Sequence, residues 1–350
     1  MSWLFIYLLL VSCLSGISDA WLGCSAPTGV LRRYQARAEL SRRWRSTGHA
    51  PTPGHLGDTR ARVRTFMSAA VAGTEVVEGD TVVVVGASGG IGRLVIQSLA
   101  ATGKYKVRGL VRNLEKAREA LTEGGQLGVE LEQGNILDEP SLGAAMKASF
   151  HANPRGNAAC VVACTGTTAF PSARWAGGNT PDAVDNIAVG NMVRAATDPS
   201  NHPDGGRLKR FVLLSSVGVE RADQFPFLIL NAFGVLDAKA KGEETVRRAA
   251  EEGGFSYSIV RPGEIKGDPF VTYSPEGAVS APAGEARVPR RMVSLRTGDT
   301  EAGDVNPSSV AATFTQAVAQ PEAASKSFTV VNVLGDEPTQ KDWDDLFSDL

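Results

Sequence analysis

Three glycines spaced three residues apart, Gly86, Gly89 and Gly92, form a turn whose residue types suit the binding of phosphate groups. They follow an uninterrupted strand-forming run from Thr81 to Val85 and precede apolar residues at helical spacing. A pyrophosphate can approach a backbone only where no side chain intervenes, and the N-terminus of the following helix attracts it. The spacing therefore predicts a dinucleotide-binding turn, although it reads G-x-x-G-x-x-G instead of the usual G-x-G-x-x-G. The predicted cofactor contacts in this turn are Gly86, Ala87, Ser88, Gly89, Gly90, Ile91 and Gly92, with Arg93 as a further candidate for a phosphate contact.

A second chemical signal is Arg112, at the end of the next predicted strand, Lys106 to Val111. An acid at this position of a dinucleotide-binding fold binds the ribose hydroxyls of NAD, whereas an arginine accommodates the 2′-phosphate of NADP. Glu115 comes too late in the chain to act as that acid. We therefore predict NADP(H) as the preferred cofactor and keep NAD(H) as the alternative. In the competing interpretation, Arg112 only begins a solvated helix.

Strands and helices alternate along the rest of the chain, which is typical of an α/β, doubly wound parallel sheet of the Rossmann-like NAD(P)-binding kind. Ligands of such sheets lie outside the carboxyl ends of the strands, so the loops that follow the strands should converge on one crevice. This placement adds Asn135, Ile136, Thr165 and Gly166 to the predicted cofactor contacts. Further strands are predicted for 129–133, 158–164, 209–214, 256–260 and 327–333, and helices for 182–196, 228–250, 307–319 and 342–350.

Composition limits the classes of function. The 350 residues are 43% hydrophobic and 21% charged, as in an ordinary globular protein. A net charge of −2 provides no basic excess for neutralising nucleic-acid phosphates. Cys160 and Cys164 lie about 13 Å apart on a predicted strand, too far for a disulfide, so we interpret them as small buried apolar residues and predict no metal site. We expect one NAD(P)-binding domain over 75–340, in which the irregular segment 263–300 forms a small substrate lobe over the crevice.

The N-terminal segment has the composition of a targeting sequence. Residues 3–14 are an apolar run of signal-peptide length, with small residues before Trp21 for cleavage. From Trp21 to Arg64 the chain is rich in arginine, and Glu39 and Asp58 are its only acids, as in a transit peptide. We predict a signal peptide over 1–20 and a transit peptide over 21–70, which together resemble the bipartite presequences of algae with complex plastids. A plain secretory or mitochondrial leader is the alternative, and no membrane span is predicted in the mature chain.

Several segments in matching order carry a resemblance to one family: residues 84–93, 109–113, 210–219, 227–239 and 257–263, with Glu243 or Glu244. They resemble an atypical short-chain dehydrogenase/reductase of the NAD(P)-binding, NmrA-like kind found in plant and algal plastids. The resemblance covers about residues 78–335. It implies NAD(P)H binding, often with an undefined substrate and often with association to thylakoids or plastoglobules. It also implies that Arg261 holds the loop after the sixth strand.

The resemblance shows where the chemistry should lie and which group is missing. In Tyr-dependent members, a Tyr-x-x-x-Lys pair transfers the proton, and a serine at the end of the fifth strand polarises the carbonyl. Lys239 matches the lysine, but Val235 stands at the position of the tyrosine, and the sequence contains no Tyr-x-x-x-Lys. The general acid of those enzymes is therefore absent. Ser216, with Ser215 beside it, matches the serine, and Asn186 matches a position that helps to order the active site.

Lys239 and Ser216 are the candidate catalytic residues. Three roles are open for Lys239: a hydrogen bond to the cofactor ribose, acid–base catalysis with a pKa lowered by burial, or a solvated position on a helix. Two functions compete, namely an NADP(H)-dependent oxidoreductase on an unknown plastid substrate and a non-catalytic NADP(H)-binding redox sensor or scaffold for a photosynthetic complex. The missing tyrosine favours the second function, whereas the glycine turn, Arg112 and Lys239 fit both. It also counts against a third hypothesis, a sugar-nucleotide epimerase.

Overall fold

The computed structural model describes residues 73–122, 129–153, 160–267 and 291–350. The predicted signal and transit peptides and most of the predicted substrate lobe lie outside these ranges. The strands are β1 (Thr81–Val85), β2 (Lys106–Val111), β3 (Glu130–Gln133), β4 (Cys160–Ala163), β5 (Arg210–Leu214), β6 (Ser256–Pro262), β7 (Glu264–Ile265), β8 (Met292–Thr297), β9 (Asp304–Val305) and β10 (Lys326–Val333). The α-helices are α1 (Gly90–Ala101), α2 (Leu114–Thr122), α3 (Glu139–His151), α4 (Ala188–Thr197), α5 (Phe227–Leu230), α6 (Val235–Gly253), α7 (Pro307–Ala319) and α8 (Gln340–Ser348). Within these ranges, no helix combines the length and hydropathy that crossing a membrane requires.

The main sheet has eight strands in the order β3-β2-β1-β4-β5-β6-β10-β8, and β7 pairs with β9 in a separate small sheet. The first six positions follow the Rossmann order, in which the winding direction reverses between β1 and β4. The predicted fold class is confirmed. One expectation needs correction, because the sheet is not wholly parallel: β8 runs antiparallel to β10.

Strand β8 occupies a segment for which the sequence pattern predicts an irregular lobe. Val293 and Leu295 are buried, while the residues between and after them are more exposed. This alternation is typical of an antiparallel edge strand with one face against the core. The glycines and prolines of the preceding segment obscure that short pattern in the sequence.

Strand β1 lies in the interior of the sheet, and this position accounts for its apolar composition. Its residues are all buried, because alternate side chains point to opposite faces and both faces are covered. Val82 and Val84 pack in the apolar cluster that includes side chains of α1 and α7. Val83 and Val85 pack in the cluster that includes side chains of α3, α4 and α6. The five strand formers therefore hold the glycine turn at the end of a fully buried strand.

The helix predicted over 228–250 is in fact two helices, α5 and α6, separated by residues 231–234. Gly234 adopts a left-handed conformation with φ 75°, which ends the first helical path. The side-chain oxygen of Asn231 then accepts hydrogen bonds from the backbone N–H groups of Leu236 (3.0 Å) and Asp237 (3.2 Å) at the start of α6. Apolar residues continue at helical spacing across this break, and for that reason the pattern predicts one helix.

His202, after α4, should make the stability of the fold depend on pH. Its ring stacks on Phe150 with centroids 4.5 Å apart, and its Nε2 lies 2.7 Å from the carbonyl oxygen of Ala196. Burial lowers the pKa of His202 below its ordinary value of 6.5. As the pH falls, the unfolded chain therefore binds the proton at a higher pH than the folded chain does. The free energy of unfolding should be highest above pH 6.5 and fall as the pH drops below it. Urea unfolding at several pH values checks this, and His202→Gln should flatten the slope; an unchanged slope in that variant would contradict the assignment.

Candidate functional site

The carboxyl ends of β1, β2 and β4 border a cleft of about 310 Å³. It lies where the strand order reverses, which is the usual ligand position in such sheets. The predicted cofactor contacts that line it are Gly86, Ser88, Gly89, Arg112, Ile136, Thr165 and Gly166. The predicted contacts Ala87, Gly90, Ile91, Gly92, Asn135 and Lys239 do not form part of this lining.

The glycine turn is built for close backbone approach. Gly86 adopts φ 80°, in the left-handed region that favours glycine, and its carbonyl accepts a hydrogen bond from the N–H of Gly89 (2.9 Å). A Cβ on Gly92 would lie 2.1 Å from that same carbonyl oxygen, so α1 can start here only with glycine at this position. No side chain among the described residues caps α1. The N–H groups of its first turn therefore remain able to bind an anion, and the site fits a dinucleotide pyrophosphate.

Arg93 has a different place from the one predicted. Its Nη1 donates a 2.8 Å hydrogen bond to the carbonyl oxygen of Ala120 in α2. This bond joins α1 to the end of α2. The Arg93 side chain thus connects two helices. The expected role was a phosphate contact.

Two guanidinium groups line the cleft, from Arg112 after β2 and from Arg174 in the loop after β4. Arg112 Nη1 donates to the side-chain oxygen of Asn179 (3.1 Å), so this second loop reaches across to β2. Guanidinium groups bind phosphate through several hydrogen bonds at once, which suits both residues to a phosphate ligand. Arg174 and Asn179 are absent from the sequence prediction because a residue in an irregular loop carries no periodic signal.

Lys239 and Asp185 form a buried ion pair behind the cleft wall. Lys239 Nζ donates to Asp185 Oδ1 at 2.7 Å, and the two side chains are 10% and 2% exposed. The other carboxylate oxygen of Asp185 accepts hydrogen bonds from the backbone N–H (3.2 Å) and the hydroxyl of Thr167. A Cβ on Gly166 would lie 3.3 Å from Nζ and 3.4 Å from Oδ1, so this cleft residue borders the pair directly. The solvated interpretation of Lys239 is therefore wrong.

The Lys239–Asp185 pair depends on a π-helix and on a close contact between that helix and α6. Asp185 lies in a π-helix, Asp182–Ile187, which runs directly into α4. A Cβ on Gly242 would lie 2.3 Å from the carbonyl oxygen of Asp185, so the backbone of α6 can approach the π-helix only at a glycine. Lys239 precedes Gly242 by three residues and therefore lies on the same face of α6. π-Helical turns occur often at functional sites.

Asp185 is the side chain of this helix that pairs with Lys239, whereas Asn186, the residue singled out in the sequence, bonds within its own helix. Asn186 Nδ2 donates to Asp182 Oδ1 (2.9 Å) one turn earlier in the π-helix. The i→i+5 hydrogen bonding of a π-helix shifts by one residue which side chain faces the sheet. The sequence pattern assumes ordinary α-helical geometry here, so it points to the neighbouring residue.

The two serines after β5 form separate hydrogen bonds. Ser215 Oγ donates to Glu243 Oε1 (2.6 Å), and Ser216 Oγ donates to the carbonyl oxygen of the next residue, Val217 (3.0 Å). Neither of these bonds involves Lys239 or Asp185. A catalytic role for Ser216 stays a prediction.

Glu243 is the acceptor at the centre of a buried charge network. Arg261 donates to it through Nε (2.9 Å) and Nη2 (2.6 Å), and Arg247 Nη2 donates to it at 2.6 Å. Arg261 also pairs with Glu220 at 2.7 Å. Burial alone would lower the pKa of Arg261, but its hydrogen bonds to the two carboxylates raise it above its ordinary value. Arg261 thus ties the end of β6 to α6 and to the loop after β5, whereas the expected role was to hold the loop after the sixth strand.

The position of the missing tyrosine is filled by an apolar side chain. Val235 is buried in a cluster with Val217 and neighbouring apolar residues. The tyrosines of the described ranges are Tyr105, just before β2, and Tyr257, near the start of β6, both toward the amino ends of the strands and away from the cleft. Tyr273 lies outside the described residues.

Cys160 and Cys164 are both free and buried, which confirms their interpretation as small core residues. Burial raises the pKa of Cys160 to about 12 and also raises the pKa of Cys164, which borders the cleft. Both thiols therefore stay protonated near neutral pH. Across the described ranges, no group of three or more histidine, cysteine or acidic side chains is arranged to hold a metal ion.

Comparisons with known proteins agree with this geometry. Residues 86–321 match the model of a family described as NAD(P)H-binding. The chain is 29% identical over 212 residues to Protein TIC 62, chloroplastic, of Oryza sativa subsp. japonica, covering 58% of this chain and 39% of that protein. It is 26% identical over 283 residues to an uncharacterised chloroplastic protein of Arabidopsis thaliana, covering 78% of this chain and 84% of that one. The chain therefore spans well under half the length of the rice protein.

Two solved structures show a similar fold. One is a putative NAD-dependent epimerase/dehydratase from Bacillus halodurans, with a TM-score of 0.54 and 22% identity over 78% of this chain and 100% of that one. The other is the oxidoreductase ylbE from Lactococcus lactis, with a TM-score of 0.52 and 16% identity over 77% of this chain and 97% of that one. At these identities the likeness concerns the fold alone.

Proposed function

Because this chain belongs to the NAD(P)H-binding family and is an atypical, NmrA-like short-chain dehydrogenase/reductase of plastid type, we propose that it is an NADP(H)-dependent oxidoreductase acting inside the plastid. One observation carries the proposal. A single cleft is lined by a glycine turn, by Arg112 and by Gly166 and Thr167, directly in front of the buried Lys239–Asp185 pair. Phosphate-binding groups thus line a cleft whose wall, at Gly166, lies against the buried ion pair.

The residues of the cleft suggest how the cofactor would be held. Gly86, Ser88 and Gly89, with the uncapped first turn of α1, would bind the pyrophosphate. Arg112 would bind the 2′-phosphate, and Lys239 would bind the nicotinamide ribose while Asp185 keeps it oriented. The predicted contacts Asn135, Ile136, Thr165 and Gly166 belong to the loops after β3 and β4. When bound, a nicotinamide cofactor supplies hydride transfer, and the protein supplies position and exclusion of water.

Calorimetric titration of the purified chain with NADPH and with NADH tests the cofactor assignment. We expect NADPH to bind at least tenfold more tightly, which corresponds to about 1.4 kcal/mol. Equal affinities would contradict the NADP preference. Absence of binding by both nucleotides would contradict the proposed function as a whole.

Arg112 and Arg174 should distinguish the two nucleotides. Arg112→Ala is expected to weaken NADPH binding about tenfold and NADH binding less than threefold, because only NADPH carries the 2′-phosphate. Arg174→Ala should act in the same direction with a smaller effect, since its loop is joined to Arg112 through Asn179. Arg248→Ala is the matched control, because this exposed arginine of α6 does not line the cleft. A parallel loss of NADH affinity would argue against a 2′-phosphate contact.

A non-catalytic redox sensor or scaffold remains the second candidate function, and the burial of Val235 at the tyrosine position favours it. The two candidates differ in turnover. Tight NADPH binding without reduction of any acceptor would support the sensor, whereas NADPH oxidation that depends on an acceptor would support the enzyme.

The role of Lys239 can be separated from stability with a charge-balanced variant. Lys239→Met combined with Asp185→Asn removes the ion pair without leaving either charge buried alone. If Lys239 binds the ribose, NADPH affinity should fall about tenfold, as expected for one charge-assisted hydrogen bond. Unchanged affinity with lost turnover would instead indicate acid–base catalysis. Calorimetry and a turnover assay on the same preparation separate these results.

We also propose that residues 75–340 form the NAD(P)-binding domain, with 263–300 as its substrate lobe, and that 1–20 and 21–70 are a signal and a transit peptide. The chloroplastic names of both curated relatives support a plastid location. Fusion of residues 1–74 to a fluorescent protein in an alga with a complex plastid tests the address. Plastid import should require both segments, and delivery to mitochondria would contradict it.

A further inference from the structure

Three aromatic side chains, Phe170, Trp175 and Phe233, form what we call the aromatic shelf. Phe233 contacts Phe170 and Trp175 edge-on, with ring centroids 6.0 Å and 6.1 Å apart and interplanar angles of 75° and 84°. Phe170 is 40% exposed and Phe233 is 50% exposed. Exposed apolar side chains that lie together, in contrast to those scattered singly, are typical of a binding surface.

The shelf adjoins the cleft on the side of Lys239. Trp175 Nε1 donates to Thr168 Oγ1 (3.2 Å), and Thr168 directly follows Thr167, which holds Asp185. Arg174, beside Trp175, lines the cleft. Phe233 precedes the start of α6, the helix that carries Lys239.

The shelf is also connected to the place where a tyrosine would act. Ala169, next to Phe170, packs against the buried cluster that contains Val217 and Val235. Val235 stands at the tyrosine position, and Val217 follows Ser216. An acceptor lying on the shelf would therefore lie close to the position that lacks the general acid.

The missing acid restricts the acceptors that such a site can reduce. Reduction of a simple ketone leaves an alkoxide, whose conjugate acid is about as weak as water, so a proton donor is needed in the transition state. Reduction of a quinone leaves a phenolate, whose conjugate acid has a pKa of about 10. Such an anion is stabilised within the acceptor and can take its proton from water afterwards.

We propose that the substrate is a planar, conjugated acceptor of the quinone class, held against the aromatic shelf. This proposal rests on the proposed function. The quinone gains two electrons and two protons: one hydrogen arrives as hydride from NADPH, one proton comes from solvent, and the products are hydroquinone and NADP⁺. Flat electron-poor rings stack on aromatic side chains, and the shelf provides such side chains beside Arg174, which lines the cleft.

The first test compares two compounds with the same carbon skeleton, 1,4-naphthoquinone and the saturated ketone 2-decalone, as acceptors for NADPH oxidation by the full-length protein. We expect kcat/KM to be at least a hundredfold higher for naphthoquinone than for decalone. Reduction of the ketone needs a general acid, which typically contributes at least about a hundredfold in rate and is missing here. Equal or better reduction of decalone would overturn the proposal.

The second test measures binding without NADPH, through quenching of tryptophan fluorescence by naphthoquinone. Phe233→Ala should weaken this quenching and raise the KM for naphthoquinone about tenfold, while the Kd for NADPH stays within twofold. Leu334→Ala, at an exposed apolar residue after β10, is the control and should change neither value. An unchanged KM in Phe233→Ala would overturn the shelf as the binding surface.

These readouts separate failure of the substrate proposal from failure of the proposed function. If NADPH binds but naphthoquinone neither quenches nor is reduced, the substrate proposal fails and the cofactor assignment stands. If naphthoquinone quenches in a shelf-dependent manner but NADPH does not bind, the proposed function fails and the aromatic shelf stands as a binding surface.

Discussion

Gly92→Ala is expected to weaken NADPH binding more than tenfold and to lower the free energy of unfolding by about 3 kcal/mol. A Cβ at this position would lie 2.1 Å from the carbonyl oxygen of Gly86 and 2.8 Å from its carbonyl carbon. Both atoms are backbone, so no side-chain rotation relieves the overlap. The first turn of α1 must move away from the end of β1, and its N–H groups then no longer converge with the turn on one anion.

Gly143→Ala is the matched control, because Gly143 lies inside α3 and a Cβ there would meet no described atom closer than 3.9 Å. This substitution should raise the free energy of unfolding by about 0.5–1 kcal/mol, since alanine loses less conformational freedom in a helix. Urea unfolding gives the free energy of unfolding of both variants, and calorimetric titration gives their affinity for NADPH. A Gly92→Ala protein that binds NADPH within twofold of the natural chain would refute the role of this turn.

The parts of the fold predicted correctly are those in which local pattern and burial agree. Strand β1 is an unbroken run of strand formers because both of its faces are covered. Helix α7 begins at Pro307 after Asn306, whose side chain accepts from the N–H of Ser309, as the sequence signature predicts. In both cases a short stretch of sequence contains the whole physical cause.

The parts that were missed depend on partners distant in sequence. Asp185 reaches Lys239 only because the π-helix changes the register and Gly242 lets α6 approach. Arg174 belongs to the cleft only because its loop crosses to Arg112 through Asn179. The periodicity within either segment carries no information about such contacts. The local pattern therefore points to Asn186 in place of Asp185 and does not indicate Arg174.

Glu243→Gln is expected to cost about 3–5 kcal/mol in the free energy of unfolding, although it keeps the size and shape of the side chain. The carboxylate of Glu243 is fully buried and accepts hydrogen bonds from Ser215, Arg261 and Arg247. The Arg261 side chain is also fully buried, so removal of the negative charge leaves a guanidinium without its main partner away from water. Arg261 then keeps only the partly exposed Glu220 as a charged partner, and breaking a buried ion pair by removing one charge is strongly destabilising.

Glu244→Gln provides the control at the next residue of α6, where the carboxylate is 72% exposed and lies 3.9 Å from Arg247. An exposed pair of this kind contributes little, so the free energy of unfolding should change by less than about 0.5 kcal/mol. Since Glu243 does not line the cleft, the folded Glu243→Gln protein should bind NADPH within a few-fold of the natural chain at low temperature. Stability and cofactor affinity should thus separate here, whereas Gly92→Ala should lower both. Equal destabilisation by the two glutamate substitutions would show that Glu243 does not anchor Arg261.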